Sequence, residues 1–170
     1  MLEEPARLLH PSSSPDPDLA ALRRIAESLA GGARDWPGMA DPRRRTWDLI
    51  TASEAFEAWV IAWPPGGAIE LHDHGASAGA VAVASGTLTE HAVSHHGGNV
   101  AGVARTKVRA GSAITFGPWH VHDVVNLDDR PALSVHVYSP RLQVMHYFHM
   151  DAGRLVRARV VHSPIDADVA

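Results

Sequence analysis

The spacing of apolar and polar positions changes period once along this chain. Leu19, Leu22, Ala26 and Leu29 recur at helical spacing, with Arg23, Arg24 and Glu27 between them and Gly31-Gly32 as a stop. This predicts one amphipathic helix over residues 18–30, packed on the outside of the main body. From Thr46 onward the chain breaks into short runs with β-branched and aromatic content: 46–51, 55–63, 68–73, 78–84, 86–93, 103–109, 112–116, 121–126, 132–138, 144–150 and 153–162. Turn signals such as Pro64-Pro65-Gly66-Gly67, Gly97-Gly98-Asn99 and Ser139-Pro140 separate nearly all of them. Many short strands in succession predict a sandwich or a small barrel, and a small barrel can hold one ligand in its mouth. In one run both alternating sets are apolar: Phe56, Ala58, Val60 and Ala62 on one face, and Trp59, Ile61 and Trp63 beside Glu57 on the other. Such a strand is covered on both sides, so Trp59 and Trp63 read as core.

Composition narrows the chemistry. Residues 5–17 are rich in proline and serine and read as a loose arm, and residues 33–45 as an irregular connection. The chain therefore divides into an N-terminal arm with one helix, residues 1–45, and a β domain, residues 46–170. A net charge of −4 supplies no basic surface for nucleic acid, and the one tight basic cluster is Arg43-Arg44-Arg45. The acidic start Met1-Leu2-Glu3-Glu4 lacks the apolar core of a signal peptide, and no later stretch is long and apolar enough to span a membrane, which suits a cytoplasmic protein. There is no cysteine, hence no disulfide, no thiolate zinc site and no cysteine nucleophile. Soft-metal or redox chemistry must come from a bound ion, and the chain has twelve histidines to hold one.

Three histidine-bearing segments stand out. In Ile69-Glu70-Leu71-His72-Asp73-His74, residues two apart on a strand share a face, so His72 and His74 aim one way. A second segment runs from Gly111 through Gly117-Pro118-Trp119 to His120-Val121-His122 and Asn126. The third, Ser134-Val135-His136-Val137-Tyr138, places serine, imidazole and phenol on one strand face, where the imidazole can orient the phenol.

Gly66 lies six residues before His72 and Gly86 twelve after His74. With the glycine-rich turn leading to His122-x3-Asn126, this resembles the two motifs of the cupin superfamily. The resemblance implies an all-β fold, a small β-barrel or double-stranded β-helix jelly roll, with an N-terminal helical extension. It makes His122 the third metal ligand beside His72 and His74, with His120 as its rival. Cupins commonly carry a glutamate five residues after the second histidine of the pair, where this chain has Gly79. Three neutral imidazoles would leave a divalent iron at higher net charge than a site with a carboxylate, favouring an anionic ligand and ionising a bound thiol.

Together with Gly79 and the run Ser134-x-His136-x-Tyr138-Ser139-Pro140, these segments resemble the cysteine dioxygenase, or thiol dioxygenase, family over about residues 45–141. Gly79 and Gly86-Thr87-Leu88-Thr89-Glu90 are similar to the bacterial members, in which the tyrosine is unmodified. The resemblance implies Fe(2+) held by His72, His74 and His122, with Ser134, His136 and Tyr138 beside it. It also implies addition of both atoms of dioxygen to the sulfur of a small, cysteine-like thiol to give a sulfinate. An arginine that would hold the substrate carboxylate falls near Arg45, and Arg141 is a second candidate. If neither reaches the pocket, Asp48 gains interest and the thiol would be bulkier or cationic. Three other readings stay open: a thiol dioxygenase for 3-mercaptopropionate, cysteamine or a thiol-histidine derivative, a non-catalytic metal- or ligand-binding cupin, and a metal enzyme of another class. His10, His91, His95, His96, His146, His149 and His162 read as surface residues. The oligomeric state is open.

Overall fold

The computed structural model describes residues 18–32 and 43–162. The arm at 5–17, His10 and most of the irregular connection lie outside the described residues. The expected helix is α1 (Leu19–Gly32), begun by Asp18, whose Oδ1 accepts the backbone N–H groups of Ala20 and Ala21. Eleven strands follow among the described residues: β1 (Thr46–Ala52), β2 (Glu57–Trp63), β3 (Ala68–His72), β4 (Ala78–Ser85), β5 (Thr87–His96), β6 (Asn99–Arg109), β7 (Ala113–Phe116), β8 (Val121–Val125), β9 (Ala132–Ser139), β10 (Val144–Asp151) and β11 (Arg154–His162).

They form two sheets. One has the order β1-β2-β9-β4-β7; the other runs β10-β11-β6-β5-β8-β3 and closes where β3 meets β10. Strand alternation assigns each residue of the first sheet to one of two cores. Ala58, Val60 and Ala62 of β2, Ala78, Ala80, Ala82 and Ala84 of β4, and Val135 and Val137 of β9 pack with Leu22, Ala26 and Ala30 of α1. The opposite face turns Trp63, Val83 and Ala132 toward Leu88, Val108 and Val124 of the second sheet. Burial on both faces explains why β2 and β4 show no polar alternation. The alanine row on β4 gives α1 a shallow seat.

β3 departs from regular pairing in a way that matters for the site. Ile69 pairs with Val124 and His72 with His122, so three residues of β3 are taken up against two of β8. A regular ladder would bring Leu71 opposite His122 and turn His72 away. The bulge flips the face, and His72 enters the interior beside His122.

Candidate metal centre and adjoining cavity

His72, His74 and His122 are each at most 2% exposed and offer ring nitrogens within 4.8 Å of one another. His74 is not on a strand, as the two-residue spacing had suggested. It follows the end of β3, in a turn where Gly75 takes φ 56°, and it reaches the same point from the loop. Asp73 braces that turn by accepting the Gly75 N–H at 2.9 Å and the His146 Nδ1–H at 2.8 Å. His146 is thus half-buried and structural rather than a surface group. His91 is bound to Asp123 at 2.7 Å, while His95, His96, His149 and His162 are exposed.

Hydrogen bonding fixes which nitrogens face inward. His72 Nδ1 donates to the Glu70 carbonyl at 2.7 Å, so its Nε2 carries a lone pair, and that atom lies 3.1 Å from His74 Nε2. His122 Nδ1 donates to Glu90 Oε1 at 2.7 Å. Its Nε2 is buried with no hydrogen-bond partner, an arrangement that is costly in a protein interior unless a ligand completes it. Burial, reinforced by the neighbouring imidazoles, holds His72 and His74 well below the usual histidine range. Burial also lowers His122, against the pull of Glu90. Three neutral donors converging on one point fit a divalent transition metal; the second nitrogens of His72 and His122 are oriented by hydrogen bonds, whereas His74 Nδ1 is buried without one.

His120 lies before β8, not on it, and its Nε2 is 3.0 Å from Glu90 Oε1. Glu90, His120 and His122 form a second close trio. There the His122 nitrogen is already committed to Glu90, so the inward Nε2 favours the first trio. Burial alone would push the Glu90 carboxyl up; the bonds from His120 and His122 outweigh it and bring it down to about 2. The role of Glu90 was not readable from the sequence, because its partners are brought to it by the pairing of β5 with β8.

A second chain of polar groups runs along β9. Trp63 Nε1 donates to Ser134 Oγ at 2.8 Å, Ser134 Oγ is 2.9 Å from His136 Nε2, and His136 Nδ1 is 3.1 Å from the Tyr138 hydroxyl. An indole can only donate. With its oxygen accepting from Trp63, the buried Ser134 satisfies its own proton by donating to His136, which then donates to Tyr138. The phenol proton is left to point outward. Burial, reinforced by the neighbouring His122 and Arg45, lowers His136 to about 3, and burial pushes Tyr138 up, so both stay neutral. The Tyr138 ring is 4.9 Å from that of His74.

Gly79 pairs with Tyr138 and Phe116, and a Cβ there would fall 2.5 Å from Phe116 Cζ and 2.8 Å from the Val137 carbonyl. The Phe116 ring fills the space a ligand side chain would need. Asn126 accepts from Asp128 N and donates to the Trp63 and Arg130 carbonyls, bracing a loop.

A cavity of about 890 Å³ is lined in part by Arg45, Trp59, Ile69, Tyr138 and Tyr147; none of the three histidines lines it, and it reaches them through Tyr138 and Tyr147, whose rings pack against His74 and His72. Tyr147 lies 5.8 Å from the His72 ring, and the Arg45 guanidinium is 5.2 Å from the Trp63 ring centroid and 5.3 Å from that of Trp47. Trp59 is buried as expected yet also lines the cavity, its Nε1 donating to Glu57 Oε1 at 3.0 Å. Arg141 does not line it and donates instead to Glu57 Oε2 at 3.3 Å. Asp48 is exposed and accepts from the N–H of Leu49.

Two sheets of this topology with a buried histidine trio between them define a cupin with a potential metal site. The model of the cysteine dioxygenase type I family matches residues 15–151, and the chain belongs to that family. No curated protein matches it. Among solved structures it is similar to the TT1209 protein of Thermus thermophilus, at 22% identity over 61% of this chain and 91% of that one, with a TM-score of 0.51. It is also similar to an oxalate oxidase bound to the substrate analogue glycolate, at 18% identity over 59% of this chain and 53% of that one, TM-score 0.51. At these identities the likeness is one of fold. Among the described residues no helix is long and apolar enough to cross a membrane.

Proposed function

We propose that this protein is a cytoplasmic, non-haem iron thiol dioxygenase, with residues 46–170 as its catalytic domain and His72, His74 and His122 as the ligands of Fe(2+). The observation that carries the reading is the inward, unpartnered Nε2 of His122 within reach of two further buried imidazoles, with Gly79 supplying no carboxylate. A bound ferrous ion would supply the acidity that keeps a thiol ionised and would relay to dioxygen the four electrons that the substrate sulfur gives up. The net reaction joins both oxygen atoms to the substrate sulfur, giving the sulfinate.

The residues around the site have separate tasks. Arg45, held over two indole rings, pairs with a substrate carboxylate and fixes the thiol end toward the trio. Tyr138 directs its free proton at the developing oxygen charge, and Ser134 and His136 hold it in that sense. Trp59, Leu142 and Met145 line the same cavity and exclude water. Arg141 steadies Glu57 at the rim. The partners are a small thiol and dioxygen, with no part for nucleic acid.

The test is oxygen uptake by protein loaded anaerobically with iron, offered cysteine, 3-mercaptopropionate, cysteamine and thiol-histidines. We expect uptake matched by sulfinate with at least one of them. Tyr138→Phe should retain iron while kcat falls about a hundredfold, the scale of losing one positioned donor. Thiol binding without uptake, indifferent to Tyr138→Phe, would mean a non-catalytic binding protein.

A further inference from the structure

The cavity near the trio is larger than a three-carbon thiol acid requires, and the charged side chains that line it are all arginines. At about 890 Å³ it lies near the top of the range occupied by drug-sized ligands. Arg44, Arg45 and Arg159 line it, and among the described residues that do so none carries a carboxylate, in a chain whose net charge is −4. A concentration of guanidinium groups against the overall charge marks a wall built for anions.

The arginines come from opposite ends of the described chain. Arg44 and Arg45 immediately precede β1, whereas Arg159 stands on β11. Arg159 is held in place: its guanidinium lies 3.9 Å from the Tyr147 ring centroid, and Nη2 donates to Glu70 Oε2 at 2.6 Å. A guanidinium has five N–H donors in a rigid fork, so one bond to Glu70 leaves capacity for an anion. Tyr147 in turn packs against His72, which ties this wall to the trio.

We infer that the substrate is a thiol bearing two acidic groups, one taken by Arg45 and the other by Arg159. The thiol part rests on the dioxygenase reading above; the two charges rest on the cavity alone. A monoacid can engage one of these guanidinium groups, while a diacid that reaches both gains a second charge-assisted contact.

Two measurements separate these parts. In the first, tryptophan fluorescence follows titration of the protein with dicarboxylates from succinate to suberate and with the monocarboxylate of matching length. At least one diacid should bind about tenfold or more tighter than its monoacid. Arg159→Gln should bring that ratio close to unity, and Arg159→Lys should keep part of it. In the second, oxygen uptake is compared for mercaptosuccinate and 3-mercaptopropionate, with kcat/KM expected to favour the diacid and the ratio to fall in Arg159→Gln. Equal binding of diacids and monoacids at every length overturns the inference, as does an advantage that survives Arg159→Gln unchanged. If no thiol is oxidised while the Arg159-dependent diacid advantage persists, the two-charge cavity stands and the dioxygenase reading falls.

Discussion

At position 79 the interior has room for a hydrogen atom and little else. A methyl group there meets the Phe116 ring and the Val137 carbonyl, so Gly79→Ala should cost about 1–3 kcal/mol, read as a lower urea midpoint. Trimming the ring in Gly79→Ala/Phe116→Leu should recover part of the loss. His136 makes a different prediction. Its pKa falls from 6.5 to about 3, so between those values the unfolded chain takes up a proton that the folded chain refuses. The contribution is complete above about pH 6.5 and is lost on acidification at up to about 1.4 kcal/mol per pH unit. Urea midpoints of metal-free protein at descending pH should fall more steeply for the native sequence than for His136→Gln. The histidine motifs were legible because each is local: two or four residues of spacing carry the signal. Glu90 and Arg159 were not, since nothing near them in the chain announces His120, His122 or Tyr147, which reach them only through cross-strand register and barrel closure.

Among the elements, β4 has a divided task. Its alanines seat α1, and the residues between them, Gly79, Val81 and Val83, face the interior that holds the site. Ala26 of α1 is 0% exposed against that row. Ala26→Leu should lower stability by about 1–3 kcal/mol through overpacking, with metal stoichiometry unchanged by elemental analysis. The helix was readable from its period, but Gly31-Gly32 did not stop it: both glycines belong to its last turn. The bulge in β3 was not, because counting alternate residues presumes a ladder without an extra member. The same counting placed His74 on a strand that ends at His72, and the correct convergence came from a turn instead.

For the molecule as a whole, the proposed ion should join β3, the following turn and β8 into one cooperative unit. Ferrous ion at a hundred times its dissociation constant should raise stability by about 2.7 kcal/mol, seen as a higher melting temperature that chelator reverses. His72→Ala, His74→Ala and His122→Ala should each abolish that gain and the bound iron; His120→Ala should keep both. The overall architecture was legible because short strands punctuated by turns leave few alternatives to a closed β structure, but the strand order was not, since pairing between distant segments leaves no local mark. Within that order, the β10–β11 hairpin meets the rest of its sheet through single residue pairs, Tyr147 with His72 on one side and Arg154 with Asn99 on the other. Its outer amides should therefore surrender deuterium protection before those of β5 or β9. A chain cut back to Ser139 would keep every candidate ligand yet lose the wall that carries Tyr147 and Arg159, exchanging a vessel for an open trough.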